Sequence, residues 1–313
     1  MNEILRKSID DVTPGLLRQA RATLSVNRMV GVTGERIRIP LEGRDTECVF
    51  YRANEADAPL IIAYHSGGWL FGGCALNDSM WTVMADTLGM NIISVGYRMA
   101  PKHKWQASLA DAYDSAVYLY QNSHSFGFDR ERITLFGPSA GGNMAAAVCI
   151  KAARENMMVF KDLVLLYPLL DVSTEPALKG PEYYGGPAAY VMNEQHVLPE
   201  ESKDPLASPV FADALDLKHF PRTLVVTAEK DALRHEGKLF AENLAAAGIA
   251  ARCVEAEGMS HCSFELGCRD GLTDFEKGFI GPDGVETFLS GAAKDSTYKI
   301  LDLIKKELKN DQC

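Results

Sequence analysis

Ser139 stands in the run Leu135-Phe136-Gly137-Pro138-Ser139-Ala140-Gly141-Gly142-Asn143, which carries the pattern G-x-S-x-G. A serine hydroxyl is a weak nucleophile at neutral pH. Attack on a carbonyl needs a base to take its proton and a third group to hold that base in one tautomer. Only His196, His219, His235 and His261 follow Ser139. His261 closes Gly258-Met259-Ser260-His261, a glycine-containing loop past a strand pattern, where an anchored imidazole can reach the serine. His235 falls inside a helical pattern and reads as a solvated surface group. For the acid, Asp231 follows Thr227-Ala228-Glu229-Lys230 at the C-terminal end of a strand pattern, where catalytic loops gather in open α/β sheets. Glu229 is its rival, and an N-cap is the plainer role for an Asp at that place. The plainer role leaves the imidazole without an orienting group. His65-Ser66-Gly67-Gly68 meets the last requirement. Residues without side chains let the N–H groups of Gly67 and Gly68, with that of Ala140, approach a developing oxyanion.

These groups need elements to position them. Arg132-Ile133-Thr134-Leu135-Phe136 has the β-branched, apolar character of a buried strand, and Asn143-Met144-Ala145-Ala146-Ala147-Val148-Cys149-Ile150 suits a helix. Ser139 thus sits on a sharp strand-to-helix turn. Gly137 permits the bend and Gly141 permits close packing. The helix N-terminus just past the serine adds free donors and a positive dipole end. Ala58 to His65, Asn91 to Tyr97, Leu163 to Pro168, Thr223 to Ala228 and Ala251 to Glu255 read as further strands. Helical patterns over 106–121 and 232–246 alternate with them, as a βαβα chain requires. Arg36 to Pro40 and Glu47 to Arg52 read as an edge hairpin.

At 313 residues the chain suits one α/β domain over 1–313. One or two helices over about 1–33 lie outside the sheet, and the irregular excursion over about 171–208 is long enough to be a cap. A helix through Tyr298, Leu301, Ile304 and Leu308 closes the chain. With 47% hydrophobic and 24% charged residues, the composition is that of an ordinary globular protein. A formal net charge of −10 argues against nucleic-acid binding. No apolar run is long enough for a membrane span, and Met1 to Ser8 lacks a signal-peptide stretch. Seven cysteines without C-x-x-C pairs fit free thiols in a cytoplasmic protein better than disulfides or a zinc site.

Several motifs together resemble the hormone-sensitive-lipase group of α/β-hydrolase esterases, over most of residues 58–261. They are His65-Ser66-Gly67-Gly68-Trp69, Tyr97-Arg98-Met99-Ala100-Pro101, the elbow through Asn143, Tyr167-Pro168, Ala207-Ser208-Pro209, Asp231 with Glu236-Gly237, and Gly258 to His261. The resemblance implies an α/β-hydrolase fold with a mostly parallel eight-stranded sheet and an N-terminal helical cap. It implies hydrolysis of short-chain carboxylic esters, a small-molecule substrate, no metal and no cofactor, with Ser139, Asp231 and His261 as the triad. An amidase or deacetylase using the same triad is the nearest alternative, and a non-catalytic ligand receptor on this fold is a more distant one. Three departures stand out: Ser66 where the family has Gly, Pro138 where it has Asp, and Cys262-Ser263 before Phe264. Trp69, Phe71 and Phe211 are candidates to line an acyl pocket, with plain core packing as the alternative. The stretch 262–292 is read as a lid, a homodimer contact or a surface insertion.

Overall fold

Consecutive residues of a strand face opposite sides of the sheet, so a run such as Leu60-Ile61-Ile62-Ala63-Tyr64 demands cover on both. The computed structural model, which describes residues 3–55, 57–180, 186–271 and 285–309, meets that demand. Its strands are β1 (Glu35–Leu41), β2 (Arg44–Tyr51), β3 (Leu60–Tyr64), β4 (Asn91–Val95), β5 (Ile133–Pro138), β6 (Asp162–Leu166), β7 (Arg222–Ala228) and β8 (Ala251–Ala256). They form one eight-stranded sheet in the order β1-β2-β4-β3-β5-β6-β7-β8. β2 runs antiparallel to both its neighbours, and every other pairing is parallel.

The helices are α1 (Glu3–Met29), α2 (Asp78–Leu88), α3 (Trp105–Gln121), α4 (Ser123–Phe126), α5 (Ala140–Glu155), α6 (Pro187–His196), α7 (Arg234–Ala246), α8 (Ser263–Gly267), α9 (285–289) and α10 (Ala292–Lys309). Ile62, Ile93, Leu135, Leu165 and Val225 on one face of the sheet pack with Leu109, Ala116, Met144, Val148, Phe240 and Leu244 of α3, α5 and α7. Ile61, Ile92, Phe136, Val164 and Val226 on the other pack with Met80, Trp81, Met84, Phe264, Leu301 and Ile304 of α2, α8 and α10. The expected eight-stranded, mostly parallel α/β sandwich is therefore present. α2 was not among the sequence expectations, although Met80, Met84 and Leu88 recur at helical spacing.

The N-terminal expectation of one or two helices resolves into α1 alone. Ile9 of α1 packs on Tyr190 and Val191 of α6, and Ala20 joins Leu70, Phe71 and Met192. The excursion over 171–208 is turns and α6, with residues 181–185 outside the described residues. Of the 262–292 stretch, α8 and α9 are described and 272–284 lie outside the described residues. Buried polar contacts tie the excursion to the core. Asn143 Nδ2 donates to the Ala207 carbonyl at 2.8 Å. Ser208 Oγ accepts from Val172 N–H at 2.9 Å and donates to the Ser202 carbonyl at 2.7 Å. Glu236 accepts from the Leu170 and Asp171 N–H groups, each at 2.5 Å, and from Lys179 Nζ at 2.7 Å.

The Lys179 and Glu236 side chains are only 5% and 8% exposed, so removing one charge strands the other out of water. Lys179→Met is expected to cost about 3–5 kcal/mol of unfolding free energy, read by chemical denaturation. Adding Glu236→Gln should recover part of that loss. A single variant as stable as wild type contradicts this account.

Candidate active site

The last residue of β5 is Pro138, paired in register with Leu166 of β6. α5 starts at Ala140, which leaves Ser139 to make the turn with φ 54° and ψ −121°. Such a backbone costs a non-glycine residue on the order of 1–3 kcal/mol and persists only where its surroundings over-determine it. Here they do. Ser139 N–H donates to the Leu166 carbonyl at 2.9 Å, and its carbonyl accepts from Gly142 N–H at 3.0 Å and Leu169 N–H at 3.2 Å. A Cβ at residue 137 would lie 2.1 Å from the Gly141 backbone, and one at 141 would lie 2.0 Å from the Tyr64 carbonyl oxygen. The two glycines are thus required by sterics. Pro138 leaves the elbow intact, because the neighbouring Ser139 N–H takes the Leu166 carbonyl.

The loops after β7 and β8 bring Asp231 and His261 to this turn. His261 Nε2 lies 2.9 Å from Ser139 Oγ, and His261 Nδ1 lies 2.6 Å from Asp231 Oδ2. A carboxylate only accepts, so Nδ1 carries the ring proton and Nε2 is left to accept from the serine hydroxyl. The other Asp231 oxygen accepts from Leu233 N–H at 3.0 Å. Asp231 therefore holds the turn that leads into α7 as well as the imidazole, while the N-cap position itself is Leu233 and carries no side-chain cap. Its rival Glu229 accepts instead from Gly258 N–H at 2.6 Å, fastening the loop that carries His261. Asp231 is 1% and Ser139 6% exposed. Burial pulls the His261 pKa down, but the Asp231 carboxylate, with the Cys262 thiol beside the ring, outweighs it and holds the imidazole well above the ordinary histidine value. The Tyr167 ring packs edge-on against His261 at 5.1 Å. His235 lies in α7, His219 in the turn before β7, and His196 is buried at the end of α6.

The loop after β3 holds Gly67, Gly68 and Trp69 at φ 108°, 59° and 57° in succession. No acceptor among the described residues takes a hydrogen bond from the N–H of Gly67, Gly68 or Ala140. Two flat stacks carry this loop. His65 lies on Tyr97 at 4.2 Å, with Tyr97 Oη donating to the His65 carbonyl at 2.8 Å. Burial lowers the His65 pKa to about 4, so the ring is neutral and donates through Nδ1 to the Ser66 carbonyl at 2.7 Å. Trp69 lies on His196 at 3.9 Å. Met192 of α6 covers Gly68, where a Cβ would lie 2.1 Å from its sulfur.

Of the aromatics considered for an acyl wall, Trp69 is fully buried and Phe71 5% exposed, and both pack into the protein's hydrophobic clusters. Phe211, 40% exposed on the turn Pro209–Phe211, belongs to the surface. A cavity of about 760 Å³ opens between α1 and residues 96–103, and Ser139, Asp231 and His261 do not line it.

The family model for the alpha/beta hydrolase fold matches residues 61–265. The chain belongs to the α/β-hydrolase family. Within it, the hormone-sensitive-lipase-like resemblance holds. The chain is 29% identical over 213 residues to an arylesterase of Saccharolobus solfataricus, covering 64% of this chain and 67% of that one. It is 26% identical over 241 residues to an ethyl acetate hydrolase of Pseudomonas putida, covering 72% and 74%. A hyperthermophilic esterase from the archaeon Pyrobaculum calidifontis superposes with a TM-score of 0.72 at 28% identity, over 96% of this chain and 99% of that chain.

The motifs of this α/β-hydrolase divide between the site and its supports. Arg98 makes a fork on Asp111 at 2.7 and 2.9 Å and so fixes the loop behind Tyr97. Sequence reasoning left Met192, His196 and Glu265 without roles. Their types are unremarkable, and only the position of α6 over the oxyanion loop and of α8 beside His261 marks them.

The His261 electrostatics is directly measurable. The imidazole is expected to titrate by NMR above the free value of about 6.5, because the carboxylate favours the charged form. Asp231→Asn leaves burial opposed only by Cys262, and the midpoint should fall below that of the wild type. An unchanged midpoint would show that Asp231 does not set it.

Proposed function

We propose that this α/β-hydrolase is a serine esterase acting on short-chain carboxylic esters, with Ser139 as nucleophile, His261 as base and acid, and Asp231 as the orienting carboxylate. The continuous Ser139–His261–Asp231 hydrogen-bonded relay carries the reading. A ligand receptor has no need of a serine aimed at a buried, correctly tautomeric imidazole. The esterases among the relatives supply the substrate class.

In this mechanism His261 Nε2 takes the Ser139 proton as Oγ attacks the ester carbonyl. The N–H groups of Gly67, Gly68 and Ala140 hold the oxyanion, at the positive end of α5. Each such donor is worth on the order of a hundred- to thousandfold in rate. As the tetrahedral intermediate collapses, His261 returns its proton to the leaving alkoxide and an acyl-Ser139 remains. Water, deprotonated by the same imidazole, attacks the acyl-enzyme, and as the carboxylic acid leaves, His261 returns that proton to Ser139 Oγ. α1 and the 171–208 segment act as the cap over this chemistry, within a single domain.

The test is a time course with p-nitrophenyl acetate, butyrate, octanoate and a matched anilide, for wild type and Ser139→Ala. The short esters should turn over fastest, and the alanine variant should fall by about a millionfold, to background. Ester turnover that survives Ser139→Ala overturns the assignment. Anilide cleavage without ester cleavage would make the enzyme an amidase instead.

A further inference from the structure

The Glu265 carboxyl group has no part in the chemistry above, yet it is 3% exposed and lies at the junction of the two catalytic loops. It follows His261 on α8, whose place is fixed by α10: Thr297 Oγ1 donates to the Phe264 carbonyl at 3.1 Å, and a Cβ at residue 267 would lie 2.4 Å from the Ala293 carbonyl oxygen. From the turn after β6, the Tyr167 hydroxyl donates to Glu265 Oε2. The same Tyr167 ring is the one packed edge-on against His261, and it leaves a backbone held at φ 34°. On the loop after β3, the Ser66 hydroxyl donates to Asn77 Oδ1 at 3.2 Å. Ser66 immediately precedes Gly67. Glu265 Oε1 has no hydrogen-bond partner within the strict geometric limits among the described residues.

We propose that Glu265 is a positioning residue for the base, setting the His261 ring through the Tyr167 side chain that lies between them. Its protonation suits the role. Burial pushes the Glu265 carboxyl up to about 7, against its own backbone N–H, Arg269 and Ser66. Both the neutral acid and the carboxylate accept from the Tyr167 hydroxyl, and the charged form accepts more strongly, so ionisation of Glu265 changes the hold on the ring beside His261. The titratable and charged groups that face Glu265 are Tyr167, Arg269 and Cys268. Burial pushes the Cys268 thiol up to about 12, so it stays uncharged where Glu265 titrates.

The activity arm of the test rests on the esterase reading, and the spectroscopic arm does not. kcat, KM and the pH profile for p-nitrophenyl butyrate are measured for wild type, Glu265→Gln, Glu265→Ala, Tyr167→Phe and the Glu265→Ala/Tyr167→Phe pair, with the His261 titration followed by NMR in each. Glu265→Ala and Tyr167→Phe should each lower kcat about tenfold or more with KM moved less than about twofold, and the pair should lose no more than the worse single variant. Glu265→Gln, which stays neutral and keeps a donor and an acceptor, should retain roughly a third or more of kcat and lose the inflection near pH 7. Single variants within about twofold of wild-type kcat, or losses that multiply in the pair, overturn the proposal. Should Glu265→Ala fail to fold, Tyr167→Phe, which removes one oxygen, decides by the same readouts. If wild type turns over no ester, the esterase reading fails separately. The His261 midpoint then decides: a shift in Tyr167→Phe supports the coupling, and identical midpoints overturn it.

Discussion

The approach of α5 to the end of β3 is the contact on which the site depends. Peptide backbone meets peptide backbone there, with Gly141 against the Tyr64 and His65 carbonyls and no room for a single extra carbon. That approach forces the chain to turn within one residue, and the residue left on the turn is Ser139. It also sets the origin of α5 beside the start of the oxyanion loop, since His65 is the residue that leaves β3. Ser139 and the start of the loop that carries the Gly67 and Gly68 N–H groups are therefore placed by one steric fact.

Burial then makes the remaining interactions strong. Asp231 is almost wholly withdrawn from water, where its attraction for the imidazole is screened far less than at a surface. Its second oxygen is held by a backbone N–H, so the carboxylate has little freedom to swing away. The loop bearing His261 is fastened independently by Glu229. The His261 imidazole is thus held by Asp231 behind it, the loop below it and the Tyr167 ring at its side.

Much of this was legible in the residues. The central strands were readable because burial on both faces produces unbroken apolar runs. The relay was readable because the turn chemistry around Ser139 and the order serine, acid, histidine constrain one another. Asp231 and Glu229 could not be separated by sequence, since both end the same strand and only the direction of each side chain distinguishes them. The surroundings of Trp69 were not legible, because an aromatic in such a loop has the same local sequence whether it faces a cavity or the core. Its left-handed backbone turns it inward onto His196, a partner more than a hundred residues away in sequence. Glu265 carried no signal of its own, because a carboxyl on a five-residue helix acquires its surroundings from β6, the oxyanion loop and α10 together.

α6 touches the oxyanion loop with two side chains, Met192 over Gly68 and His196 under Trp69. The loop that carries the Gly67 and Gly68 N–H groups is thus packed from above by a helix of the excursion as well as anchored by the strand it leaves, so a substitution in α6 that changes the size of Met192 or His196 presses directly on that loop.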